Sequence, residues 1–167
     1  MRRLILMRHA KSDWSQQGRS DHDRTLNARG KRSALALGDW LRRNGYMPDE
    51  ILCSSATRTR ETLAGLDLPS AIPTSFSRAL YLTEAEDMLE ILQAAQGQCV
   101  LMIGHNNGIS DLAQRLVIDP PDHARFADYP TGATLVVEFN TGPWNDIGWH
   151  TGQPIDFVVP RDLPGMA

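Results

Sequence analysis

The chain has 167 residues, of which 41% are hydrophobic, two cysteines and a formal net charge of −3. This is the length of one ordinary domain, able to bury a core without disulfides or structural metals, so a single domain over residues 1–167 is expected. The mild negative charge offers no bulk attraction to nucleic acid or to an anionic membrane, so neither partner is expected and substrate choice must rest on local charge.

Leu4 to Met7 is a short apolar run interrupted by Arg8-His9. It is too short for a secretory signal and reads as a buried strand. No stretch approaches the length of a membrane span, and a cytoplasmic protein is expected. Asn27 to Arg43 carries apolar residues at Ala34, Leu35, Leu37 and Leu41 and is followed by Gly45, which predicts a helix with its stop. Ile51 to Cys53 predicts a second strand ending at Ser54-Ser55. The helix predicted over Ala56 to Leu66 has Arg58 and Arg60 near its start. Thr74 to Leu80 predicts a weaker strand. Thr83 to Ala95 predicts a helix with Thr83 as N-cap and Glu86 at the capping-box position. Val100 to Ile103 is the clearest strand and runs straight into Gly104-His105-Asn106. A helix from Gly108 to Val117 follows, then a polar loop from Asp119 to Gly132 and a β-rich stretch from Ala133 to Phe139. The tail, with Trp144 and Trp149, predicts an edge strand and irregular chain. Short apolar runs alternating with amphipathic stretches predict an α/β fold.

Cys53 and Cys99 each lie in an apolar run and read as buried, inert thiols. No CxxC pair or Cys/His cluster has zinc spacing, so no metal and no cofactor are expected. Chemistry gathers instead at three predicted strand ends: Arg8-His9, Ser54-Ser55 leading to Arg58, and Gly104-His105. Ligands of open α/β sheets bind at the carboxyl ends of the strands. Parallel, neighbouring strands would bring two histidines and two arginines into one cationic pocket. Its natural ligand is a phosphoryl group, because a guanidinium fork matches phosphate oxygens bidentately.

These segments resemble the signature of the histidine phosphatase superfamily, whose fold is shared with the cofactor-dependent phosphoglycerate mutases. Arg8-His9-Ala10 is similar to its Arg-His-Gly motif, with alanine where glycine is commonest. Ser54 to Thr62 resembles its Ser-x-x-x-Arg-x-x-x-Thr segment, which supplies a second phosphate-binding arginine, here Arg58. Gly104-His105-Asn106 resembles its second histidine motif. With the short length, Arg8-His9-Ala10-Lys11-Ser12-Asp13-Trp14 and Arg24-Thr25-Leu26-Asn27-Ala28-Arg29-Gly30 look like the SixA-type protein-histidine phosphatases, over residues 3 to 140. The resemblance implies a phosphoglycerate-mutase-like three-layer sandwich, with a mostly parallel central sheet flanked by helices.

It also implies a metal-independent phosphatase in which His9 forms a phosphohistidine intermediate. Arg8, Arg58 and His105 would hold the phosphoryl oxygens, with His105 the cation, held so by the bound phosphate, and Arg24 is a further candidate for substrate contact. Salt bridging of Arg24 to Asp21 or Asp23 is its alternative role. Lys11 could widen the positive field. Larger relatives place an Asp or Glu as general acid, in one arrangement directly after the second histidine, where this chain has Asn106. Glu84 or Glu86, early in the helix after Thr83, could supply the acid, with Glu84 the candidate, and the lack of an obvious one favours a phosphohistidine substrate on a signalling protein. A broad phosphatase of small phosphate esters is the alternative enzyme. A non-catalytic phospho-ligand module would not need both His9 and His105, and a metal site on the two would be repelled by the flanking arginines.

Overall fold

The computed structural model describes residues 1–167. Its centre is a six-stranded sheet built from β1 (Arg2–Arg8), β2 (Glu50–Ser54), β3 (Thr74–Ser77), β4 (Cys99–Gly104), β5 (Thr134–Phe139) and β6 (Gln153–Val158). The strand order is β3-β2-β4-β1-β5-β6. β3, β2, β4 and β1 run parallel, β5 is antiparallel to β1, and β6 is antiparallel to β5. Four helices flank the sheet: α1 (Ala28–Arg43), α2 (Thr57–Leu66), α3 (Ala85–Gln93) and α4 (Gly108–Leu116).

Two apolar clusters explain the three layers. Successive side chains of a strand point to opposite faces. Ile5, Met7, Leu101, Ile103 and Val136 therefore pack with Leu37 and Leu41 of α1 and Leu66 of α2. Leu4, Leu6, Val100, Met102 and Val137 pack with Met88 and Leu92 of α3 and Leu112 and Leu116 of α4. β1 and β4 are covered on both faces, which is why they read as continuous apolar runs. The expected α/β sandwich with a mostly parallel sheet is the one observed.

Several boundaries move. Asn27 is the N-cap of α1 and its side chain accepts from Gly30 N at 2.8 Å. The strand expected over Thr74 to Leu80 ends at Ser77, because residues 78–80 turn into a short 3-10 helix. Thr83 is not the N-cap of α3. Glu84 holds that position without a side-chain cap, and Glu86 pairs with Arg115 at 3.1 Å instead of closing a capping box. A side chain at Gly108 would meet the Thr83 carbonyl oxygen at 2.0 Å, so that carbonyl is packed against the start of α4. The loop before β5 hides a core residue: Tyr129 is fully buried, donates to the Leu6 carbonyl and accepts from Leu135 N at 3.1 Å. The tail supplies β6 as an edge strand and buries Trp144, whose Nε1 donates to the Gly97 carbonyl at 2.6 Å. No helix is long and apolar enough to cross a membrane.

Candidate active site

The register of the parallel strands sets the site. Arg8 pairs with Gly104 and Cys53 with Ile103, so the carboxyl ends of β1, β4 and β2 lie side by side. His9 leaves β1 with its N–H donating to the Gly104 carbonyl at 3.1 Å, and its own carbonyl accepts from Gly132 N at 2.9 Å. The next amide, Ala10 N, donates to Thr62 Oγ1 at 3.0 Å, and Thr62 donates to the Arg58 carbonyl at 2.7 Å. The Thr of the Ser-x-x-x-Arg-x-x-x-Thr segment thus ties α2 to the loop that carries His9.

His9 and His105 face each other with ring centroids 5.3 Å apart. Both are nearly inaccessible, at 5% and 3% exposure. His9 Nδ1 lies 2.7 Å from the Ala10 carbonyl oxygen. A carbonyl only accepts, so Nδ1 carries the proton and Nε2 keeps its lone pair. Burial depresses the His9 pKa well below its ordinary value, and His105, Arg8 and Arg58 depress it further. The Ala10 carbonyl opposes this without reversing it. Burial is thus the larger cause of a neutral His9, and its cationic neighbours the smaller one.

His105 Nε2 lies 2.8 Å from Ser54 Oγ, which gives the Ser at the end of β2 a role. Burial, then Arg58, push the His105 pKa down to about 3. The protein by itself therefore holds His105 neutral. A cationic His105 is thus a state of the occupied site, since its proton has to come with the bound anion. His105 Nδ1 and the Nε atoms of Arg8 and Arg58 are buried without a hydrogen-bond partner.

Arg58 is 2% exposed and is held by Asp21, donating to its carbonyl at 2.6 Å and its carboxylate at 3.1 Å. Arg24 donates to the same carboxylate at 3.1 Å and to Ser12, and lies 3.4 Å over the Trp14 ring. The ion pair named as the alternative for Arg24 is present, and Arg24 also reaches the site. Tyr81 donates to Asp21 as well, and its ring stands edge-on to His105 at 5.4 Å. His22 completes the group, with Nε2 2.8 Å from Ser55 Oγ and its ring 4.8 Å from Tyr81. Burial alone would raise the Asp21 pKa, but the bonds from Tyr81, Arg58 and Arg24 outweigh it and lower it to about 2. Asp21, Tyr81 and His22 carried no motif; only the fold brings them beside Arg58.

On its other side His9 opens into a cleft of about 650 Å³, shared with Arg8, Arg24 and Trp14. Glu84 is exposed at the N-cap of α3 and does not line this cleft, so the acid role sketched for it has no geometric support.

The profile of the histidine phosphatase superfamily (branch 1) matches residues 4–88. The chain belongs to that superfamily. An uncharacterized protein of Mycobacterium tuberculosis is 35% identical over 164 residues, covering 93% of this chain and 100% of that protein. Among solved structures, a provisionally named phosphohistidine phosphatase SixA from Nakamurella multipartitia superposes with a TM-score of 0.83 at 29% identity, covering 95% of this chain and 96% of that one. Its counterpart from Agrobacterium tumefaciens gives 0.78 at 26% identity, covering 95% and 98%. Within the superfamily the chain is of the SixA type, and family and neighbours together support a phosphatase.

Proposed function

We propose that the protein removes phosphoryl groups from phosphohistidine on a protein, through a phosphohistidine intermediate on His9. The observation that carries this reading is a neutral imidazole with a free Nε2 lone pair, buried between guanidinium groups. His9 Nε2 attacks phosphorus, the bond from phosphorus to the substrate nitrogen breaks, and the phosphoryl group passes to His9. Water then cleaves the new phosphorus–nitrogen bond, releasing inorganic phosphate and restoring His9. Arg8 and Arg58 neutralise the developing charge, with Arg24 at the edge of the site. The dianion that arrives raises the proton affinity of His105, which then adds a donor.

The leaving group favours phosphohistidine over an ester. An alkoxide needs a general acid to protonate it. Asp128 is the one carboxylate lining the cleft, and its bonds from Arg125 hold its pKa below the usual value. Asp21 is held lower still, at about 2. Both are ionised at neutral pH and neither offers a proton. A phosphohistidine whose second ring nitrogen is protonated departs as neutral imidazole and needs none. The SixA neighbours, named for phosphohistidine, agree with this choice.

The test is a substrate panel across pH, pitting phosphohistidine peptides against aryl and alkyl phosphate esters. Preferred turnover of phosphohistidine is expected, falling on the alkaline side as the substrate ring loses the proton that makes it a good leaving group. Equal or better alkyl-ester hydrolysis, lost in Glu84→Gln, would overturn the substrate assignment and restore Glu84 as the acid.

A further inference from the structure

The cleft beside His9 is far more basic than the chain that forms it. Six cations line it (Arg8, Lys11, Arg24, Arg29, Arg125 and Arg161) against the single carboxylate of Asp128. The whole chain, by contrast, carries a formal net charge of −3. The cations come from separate parts of the fold: the end of β1, the loop before α1, the first turn of α1, the loop before β5, and the turn after β6. One cleft has collected them from chain segments up to the C-terminus.

Two of the six are already neutralised, Arg24 by Asp21 and Arg125 by Asp128. The others enter none of the chain's ion pairs. Arg29 donates to the Met166 carbonyl at 2.9 Å, which leaves its charge uncompensated. Lys11 and Arg161 are exposed. Phosphoryl transfer at His9 is served by Arg8, Arg58 and His105, so Lys11, Arg29 and Arg161 exceed what the reacting group requires. Apolar lining is sparse, at two residues of fifteen. The exposed Trp14, stacked on Arg24, stands at the rim. A wet, cationic cleft with an aromatic edge fits an extended chain bearing carboxylates.

We infer that this cleft binds an acidic segment of the substrate protein, Asp- or Glu-rich, flanking the phosphorylated residue. The inference rests on the protein-phosphatase reading above and adds the sequence context that the enzyme selects. Lys11, Arg29 and Arg161 are the specificity-determining cations. They steer and hold the flank while His9 acts on the phosphoryl group.

The test uses peptides phosphorylated on histidine, and a matched set phosphorylated on serine, each with glutamate, neutral or lysine flanks. The wild type is compared with Lys11→Gln/Arg161→Gln, whose side chains make no ion pair, and with Arg29→Gln. For the wild type, kcat/KM on glutamate-flanked peptides should exceed that on lysine-flanked ones by about tenfold or more at low salt. The preference should shrink several-fold in each variant and at about 0.5 M salt, where screening is short-ranged. Turnover of a small aryl phosphate should stay unchanged in Lys11→Gln/Arg161→Gln. Phosphohistidine turnover without flank preference would overturn the cleft assignment and leave the phosphohistidine reading standing. Flank preference on phosphoserine peptides alone would do the reverse. Preference for a hexose bisphosphate over every acidic peptide would assign the cleft to a small polyanion and overturn the inference.

Discussion

The two sides of His9 handle positive charge in opposite ways. On the side of His105, Arg58 is buried and its guanidinium is tied to Asp21, which also takes Tyr81 and Arg24. On the cleft side, Lys11, Arg29 and Arg161 have no carboxylate partner. A buried guanidinium without a counter-ion costs several kcal/mol, whereas an exposed one stays hydrated. The difference is therefore physical before it is functional. The buried side has been pre-paired so that it can exist at all, and a substrate there must replace a partner. The open side waits for one.

The harshest way to break this contrast is to remove what both sides share. His9→Ala deletes the proposed nucleophile, and turnover of phosphohistidine and aryl phosphate should fall by about 10³-fold or more. Rapid quench at alkaline pH should trap phosphate on His9 in the wild type and none in the variant. Undiminished turnover of both substrates would remove His9 from the mechanism.

Arg58→Gln attacks the paired side only. Losing one preorganised cation that faces the transition state should lower kcat by about 10²-fold. The loss should appear equally on peptides and small esters, because in the proposed mechanism the group touches only the transferred phosphoryl. A loss confined to peptides would move Arg58 from the reacting group to the substrate flank.

These assignments divide by how legible they were. His9, Arg58 and His105 could be read because β1 and β4 are sandwiched between helix layers. Strands buried on both faces are unbroken apolar runs, so Arg8-His9 and Gly104-His105 mark their ends sharply. His22 and Tyr81 could not be read, and Asp21 only as a partner of Arg24 and not of Arg58. Their partners are 33 to 60 residues away in sequence, as in His22 to Ser55 and Tyr81 to Asp21, and only the folding of loops over the sheet end brings them together. Tyr129 sat unnoticed in a polar loop, since its burial depends on the Leu6 carbonyl across the sheet. The Thr83 cap was misplaced by one residue, since Glu84 takes the N-cap position. Local pattern located the residues that meet at the strand ends; long-range contacts chose their partners.

Protonation separates the two sides more gently. His9 and His105 both have depressed pKa values in the fold, His105 at about 3. The unfolded chain takes up protons on these residues below about pH 6.5 while the folded one does not. Their contribution to stability is thus complete above about pH 6.5 and is lost as pH falls below it, for His105 down to about pH 3. The slope is at most about 1.4 kcal/mol per pH unit for each histidine. Denaturant midpoints between pH 7 and pH 4 should fall for the wild type and fall less steeply for His105→Gln. Equal slopes would mean that His105 is not held neutral by burial.

The finest probe is Asp21 itself, the counter-ion that distinguishes the paired side. Asp21→Asn keeps an oxygen to accept from Arg58 but removes the negative charge next to the phosphoryl site. Half-exposed charge pairs are worth about 0.2–1 kcal/mol. Inhibition by inorganic phosphate should therefore tighten by about twofold to fivefold in the variant, with a clear loss of thermal stability because Arg58 stays buried without its counter-ion. The pH dependence gives the sign independently: Asp21 titrates at about 2, so the wild type shows no matching gain above that pH. Weaker phosphate binding in Asp21→Asn would show that the carboxylate orients Arg58 more than it competes with the phosphate. Pairing would then be a device for aiming the guanidinium, and the contrast between the two sides of His9 would be one of rigidity rather than of occupancy.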